Sequence, residues 1–290
     1  MFKSIKSIFV VLLSFLIILA LISGCNKVED DNVEDSFNSN LNYNYMVNSI
    51  NHRGYYTAPE NTLAAYRESA KKGFTMVECD VSFTKDGRAV LLHDDSIDRT
   101  SNGSGNIANI TFDDVRAFDF GSWKSKEYCG EQIPSFEEFI SLCRNLSLHP
   151  YIELKWKLQG DQVKSLIGTV SKYGMIDKVT WISSNLNCLR SVLENDNDAR
   201  IGLVVNNVTE KNINDLINLG ADKDKIFLDC DYGHLDSEAI ELCIDALIPL
   251  EVWTIDDEQK ILNLDPYISG VTSNKFVAGQ VLYNYALRRA

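Results

Sequence analysis

Lys178-Val179-Thr180-Trp181-Ile182-Ser183, then Leu186–Asn195, then Arg200-Ile201-Gly202-Leu203-Val204-Val205, then Glu210–Leu219, then Lys225-Ile226-Phe227-Leu228 set the plan of the chain. The first, third and fifth segments are short apolar runs that read as strands. The two between them are amphipathic and long enough to be helices. Working outward, the same alternation continues. Val47–Asn51, Phe74–Phe83, Ala89–His93, Tyr151–Trp156, Leu247–Thr254 and Gly270–Thr272 are strand-like, and Lys85-Asp86-Gly87 turns the second into the third. Glu60–Lys72 (stopped by Gly73), Pro134–Asn145, Gln162–Lys172, Ser237–Ala246 and Asp257–Leu264 are helix candidates, and Thr111 opens a short helix with Asp113 and Asp114 in its first turn. Strand–helix alternation over about 230 residues demands a parallel sheet with helices outside it. At roughly 250 residues a closed TIM (β/α)8 barrel comes first and an open doubly wound sheet second. The absence of a Gly-rich fingerprint after the first strand weakens the second choice. A barrel places its chemistry at the C-terminal ends of the strands.

The 290-residue chain is 45% hydrophobic and 24% charged, an ordinary globular composition. Its net charge of −13 argues against nucleic acid as a partner. A phosphate-bearing substrate would need a local cation to offset that field. Residues 1–24 stand apart: Lys3 and Lys6 precede a run, Ser7 to Gly24, without charge. This reads as a signal peptide. Without it, 26 basic residues face 41 acidic ones, a net charge of −15. Leu21-Ile22-Ser23-Gly24-Cys25 resembles the lipobox of bacterial lipoproteins, which implies an acylated Cys25 anchored to the cell membrane. An uncleaved transmembrane anchor is the alternative. Either places residues 46–290, the expected catalytic domain, outside the cytoplasm, behind a polar spacer over 25–45. Besides Cys25 there are Cys79, Cys129, Cys143, Cys188, Cys230 and Cys243, none in a CxxC pair. A zinc ribbon and a thioredoxin-type site are therefore unsupported, and disulfides and buried thiols both stay open.

Four charged groups fall at expected strand ends: His52-Arg53-Gly54, Glu78-Cys79-Asp80, His93-Asp94 and Glu153-Leu154-Lys155. Strand side chains alternate, so Glu78 and Asp80 share one face while Cys79 takes the other, and Glu153 shares a face with Lys155. If those faces meet at the barrel mouth, three carboxylates and an ammonium converge. Three unpartnered carboxylates are costly there, and a divalent cation is the natural solution. An all-oxygen set suits Mg2+ or Ca2+ better than Zn2+.

These groups, with Pro59-Glu60-Asn61-Thr62, Lys85-Asp86-Gly87, Arg99-Thr100, Ile133-Pro134-Ser135-Phe136-Glu137-Glu138 and Val252-Trp253-Thr254-Ile255, occur in an order that resembles the glycerophosphodiester phosphodiesterase family over about residues 48–273. The resemblance implies a TIM barrel and hydrolysis of glycerophosphodiesters to glycerol 3-phosphate and an alcohol. It implies Glu78, Asp80 and Glu153 as ligands of Ca2+ or Mg2+, and His52 and His93 as the acid/base pair, with His93 as the acid. Arg53 and Lys155 would contact the phosphate, and Glu60 and Asn61 would support the site around His52. Trp253, expected on the last strand, would pack against the glycerol or the alcohol, or else in the core. One departure is Val271-Thr272-Ser273-Asn274, where the family commonly has Asp after Thr; it is expected not to touch the metal or the acid/base pair. His149 is expected at the far end of the barrel, and His234 near its mouth or away from it. Cleavage of a glycerol-phosphate wall polymer or of phospholipid is a close alternative. Non-catalytic surface binding and a two-lobed solute receptor are more distant ones.

Overall fold

Eight parallel strands close on one another: β1 (Asn48–Asn51), β2 (Met76–Phe83), β4 (His149–Leu154), β5 (Thr180–Ser183), β6 (Arg200–Val205), β7 (Ile226–Asp231), β8 (Leu250–Trp253) and β9 (Ile268–Ser273). The ring is shut because β1 pairs on both sides, Ile50 with Met76 of β2 and Asn51 with Ser273 of β9. The structure, a computed structural model, describes residues 47–155 and 157–287. The expected leader, Cys25 and the spacer to residue 45 lie outside the described residues. Helices follow the strands on the outside: α1 (Leu63–Lys71), α3 (Phe136–Leu146), α4 (Gly160–Lys172), α5 (Leu186–Asn195), α6 (Glu210–Ile217), α7 (Ser237–Ala246), α8 (Glu258–Leu262) and α9 (Ala278–Leu287). This is the TIM barrel expected from the alternation. No helix among the described residues is long and apolar enough to cross a membrane.

Two expectations are corrected. The third strand, β3 (Ala89–Leu91), is not a barrel stave: it runs antiparallel to β2, with Val81 opposite Leu91. The three-residue turn at Lys85-Asp86-Gly87 dictates this, because a parallel neighbour needs a crossover of a dozen or more residues. His93 therefore belongs to an excursion between β2 and α3 rather than to a barrel strand end. The excursion contains α2 (Phe112–Val115) and has its own small core of Val90, Leu92, Ile97, Ile107, Val115, Phe120 and Ile133. The second correction concerns Trp253, which ends β8, the last strand but one; β9 follows it.

The outer core lies between sheet and helices, and a smaller one fills the barrel, built on Ile50, Tyr151, Ile182 and Phe227. Gly202 makes room for the second: a Cβ there would stand 2.3 Å from Phe227 Cζ. At the N-terminal end of the strands, Arg200 Nη2 pairs with buried Glu251 at 2.9 Å, and Tyr151 and Asn48 also donate to that carboxylate. His149 lies here too, its Nε2 2.9 Å from Thr180 Oγ1, at the end expected for it. All six cysteines among the described residues are free, and all but Cys129 are buried.

Candidate active site

At the C-terminal end of β1 the backbone turns sharply. Arg53 and Gly54 both adopt positive φ, 53° and 84°. Gly54 has no substitute here, since a Cβ would fall 2.5 Å from Ala65 Cβ on α1. The turn lets the Arg53 amide donate to Glu78 Oε2 at 2.9 Å and brings its Nε 3.1 Å from Asp80 Oδ2. Glu60 Oε1 takes Arg53 Nη1 at 3.2 Å, while Arg99 grips both Glu60 oxygens at 2.7 and 2.8 Å. Asn61, also at positive φ, donates to Asp80 Oδ2 at 2.7 Å and accepts from the Asp80 amide and from Tyr66. Glu60 and Asn61 thus stand behind the functional residues rather than among them.

Glu78, Asp80 and Glu153 meet as the alternation argument requires, each offering an oxygen within 4.8 Å of the others. Lys155 Nζ donates to Asp80 Oδ1 and, at 3.0 Å, to Glu153 Oε1. Burial pushes Glu78 well above the usual carboxylate range, with Asp80 and Glu153 adding to it. Burial and then Asp80 raise Glu153 to about 7. Burial acts against Asp80 as well, but Lys155 and Arg53 outweigh it and hold that carboxyl far down. The set fits a divalent cation. Glu78 Oε1 is buried and has no hydrogen-bond partner, and the oxygens are close enough for one ion bonded at about 2.0–2.6 Å to bridge.

His52 Nδ1 lies 3.0 Å from Asn274 Oδ1. The orientation of that amide is fixed, because Asn274 donates through both N and Nδ2 to the Asp256 carboxylate. Its oxygen must therefore face His52, so His52 carries its proton on Nδ1 and keeps a lone pair on Nε2. Burial, with help from Arg53, lowers the His52 pKa to about 4. His52 is thus a neutral base at pH 7. Asn274 was expected not to touch the acid/base pair, and this is corrected: closure of β9 on β1 puts it directly behind His52. His93 Nδ1 lies 2.7 Å from Asp94 Oδ1. Arg99, bonded to Asp94 at 2.7 Å, holds that carboxyl down at about 2.

His52, Arg53, Glu78, His93, Glu153 and Trp253 line one cavity of about 140 Å3, together with Ile182, Val204, Asp229 and Thr272. Asp80 and Lys155, the latter expected to contact the phosphate, are not among the lining residues; they bond Arg53 and Glu153, which are. Nor is His234 among them: it bonds Asp231 at 2.8 Å and lines a different cleft. The Ile133–Glu138 motif is a helix start, in which Ser135 and Glu138 cap α3 reciprocally. Sequence reasoning missed Asn274, which reaches His52 across 222 positions, and Asp229, whose strand read as an ordinary apolar run.

A family model described as the glycerophosphoryl diester phosphodiesterase family matches residues 52–267. "Glycerophosphodiester phosphodiesterase 1" of Rattus norvegicus is 45% identical over 107 residues, 35% of this chain and 32% of that protein. The match thus spans about a third of the length of that relative. A glycerophosphodiester phosphodiesterase of Caldanaerobacter subterraneus is 29% identical over 214 residues, covering 72% of this chain and 86% of that protein. Among solved structures, an Oleispira antarctica phosphodiesterase in complex with the product sn-glycerol-3-phosphate superposes with TM-score 0.74 at 26% identity, covering 85% of this chain and 98% of that one. A glycerophosphodiester phosphodiesterase from Agrobacterium tumefaciens, 20% identical, shares the fold with TM-score 0.65, covering 82% of this chain and all of that one. With its barrel, its two cavity histidines and its three clustered carboxylates, the chain belongs to the glycerophosphoryl diester phosphodiesterase family.

Proposed function

We propose that this chain hydrolyses glycerophosphodiesters to glycerol 3-phosphate and an alcohol, with a divalent cation, Ca2+ or Mg2+, held by Glu78, Asp80 and Glu153. The observation that carries this is the fixed tautomer of His52, a neutral base facing the same small cavity as His93, Arg53 and the carboxylates. Charge supports it too. With a divalent ion bound and all three carboxylates ionised, the ion, Arg53 and Lys155 exceed them by one positive charge. A phosphodiester, singly negative, balances that remainder.

When bound, the cation supplies charge stabilisation at the phosphoryl oxygens. Arg53 presents its fork to the same oxygens, pre-positioned by Glu60 and Asp80. The nucleophile gives its proton to Nε2 of His52: water yields glycerol 3-phosphate directly, whereas a neighbouring glycerol hydroxyl yields a cyclic phosphate that a water then opens to glycerol 3-phosphate. Asn274 keeps Nδ1 engaged and so keeps Nε2 available. His93, oriented by Asp94 through Nδ1, delivers a proton from Nε2 to the departing alkoxide. Trp253 forms a wall of the cavity, where a glycerol or alcohol group packs against its ring. The cavity, about 140 Å3, lies below the 300–1,000 Å3 usual for drug-sized ligands, which favours a small head group over a lipid with its acyl chains. The leader over 1–24 and the lipobox at Cys25 support a membrane-anchored, extracytoplasmic enzyme.

The test is release of glycerol 3-phosphate from glycerophosphocholine by the full chain in detergent, with and without EDTA. Activity abolished by EDTA and restored by Mg2+ or Ca2+ is expected. Inactivity with every divalent ion, on this substrate and on wall polymer and phospholipid alike, refutes the assignment and leaves a binding protein.

A further inference from the structure

Four carboxyl groups among the described residues are buried: Glu78, Asp80, Asp229 and Glu251. Three are engaged. Glu78 accepts from Arg53, Asp80 from Asn61 and Lys155, and Glu251 from Arg200, Tyr151 and Asn48. Asp229 is 4% exposed, yet its side chain makes no hydrogen bond among the described residues, and its Oδ1 is a buried orphan. Native proteins rarely leave such an atom unsatisfied without a use for it.

The position of Asp229 indicates the use. Strand register sets it between Val204 of β6 and Glu251 of β7's other neighbour, β8, and its side chain lines the cavity that holds both histidines. Trp253 is fixed against it, Nε1 donating to the Asp229 carbonyl at 3.1 Å. The cations of the site are already committed, Arg53 and Lys155 to Asp80 and Arg200 to Glu251. No side chain among the described residues serves Asp229, which points to a ligand group in the cavity as its partner. A phosphate is repelled by a carboxylate and belongs with Arg53 and the metal-binding carboxylates. That leaves the uncharged part of the substrate. A hydroxyl suits it best, because a hydroxyl both donates and accepts and so serves a carboxyl in either protonation state. An ammonium could serve only the ionised state.

We propose that Asp229 is the specificity-determining residue that receives a free hydroxyl of the substrate's glycerol, so that the site selects polyol phosphodiesters over simple alkyl ones. This rests on the phosphodiesterase assignment and names the substrate class of that same site. A site built around a hydrogen bond to a substrate hydroxyl discriminates strongly against the analogue that lacks it.

The test is isothermal titration of the full chain, loaded with Mg2+ or Ca2+, with sn-glycerol 3-phosphate, with propyl phosphate (the same skeleton without the hydroxyls), and with phosphocholine. The native protein is expected to favour glycerol 3-phosphate over propyl phosphate by about tenfold or more. Asp229→Leu is expected to bring that ratio near unity while propyl phosphate binds as before, which also shows that the variant is folded. Asp229→Asn keeps an acceptor oxygen and should retain most of the preference. A preference that survives Asp229→Leu overturns the proposal, as does loss of both ligands in that variant. Preference for phosphocholine that vanishes with Asp229→Leu would assign the residue to an ammonium instead and equally overturns it. If the native protein binds none of the three yet releases glycerol 3-phosphate from glycerophosphocholine, the proposal falls and the phosphodiesterase assignment stands; if it does neither, both fall.

Discussion

Replacing Lys155 with Met isolates the electrostatics of the site. Lys155 Nζ bridges Asp80 and Glu153, and its side chain is only 12% exposed while that of Asp80 is 0% exposed. Removing one partner of a buried pair costs about 3–5 kcal/mol. Here the low end applies, because Asp80 keeps Arg53 and Asn61, and Glu153, already raised to about 7, can take up a proton. The metal-free variant should lose about 3 kcal/mol, or about 6–12 °C in Tm. A divalent ion restores the missing positive charge. Binding adds about 2.7 kcal/mol at a hundredfold excess over Kd, and more in the variant, whose site is more negative. Urea unfolding followed by circular dichroism, in EDTA and in excess Mg2+ or Ca2+, reads both effects. The gap should be wide in EDTA and narrow with metal. A variant within about 1 kcal/mol of the native protein in EDTA, or a gap indifferent to metal, refutes the reasoning.

Other consequences can be checked singly. His52→Ala and His93→Ala should each lower turnover by about 100-fold or more with an unchanged far-ultraviolet spectrum; near-native turnover in either removes that histidine from the chemistry. Asn274→Ala removes the acceptor that holds the proton on His52 Nδ1, so kcat should fall by about tenfold or more with KM little changed; an unchanged kcat argues against His52 as the base. Burial, with Arg200 nearby, lowers His149 to about 4. The unfolded chain therefore binds the extra proton first, and stability is complete above about pH 6.5 and lost as pH falls toward 4, by at most about 3 kcal/mol. His149→Gln should flatten that decline in urea midpoints between pH 7 and 5, and an equally steep decline refutes the assignment.

The barrel and much of the site were legible because they are local. The alternation of short apolar runs with amphipathic segments reflects strands buried on both faces. Glu78 and Asp80 share a face by strand geometry alone. The antiparallel turn at Lys85-Asp86-Gly87 was equally legible, yet Ala89–His93 looked like a barrel strand because a run's apolarity does not say which neighbour it pairs with. What was not legible depends on closure. Asn274 meets His52 only because β9 returns to β1, and nothing in Ser273-Asn274-Lys275 signals it. Asp229 lies one residue past the apolar run read as Lys225–Leu228, and only the barrel shows that it faces inward without a partner among the described residues.

Barrel closure also orders events in time. His52 emerges early in synthesis, but the hydrogen bonds that fix its tautomer come from the end of the last strand, 222 residues later. Until β9 inserts, β1 has a free edge, and the base has no defined proton position. Bringing such distant segments together is slow relative to local folding. A partly made chain lacks the contact that orients His52, and the site is complete only once the final stave has closed the barrel.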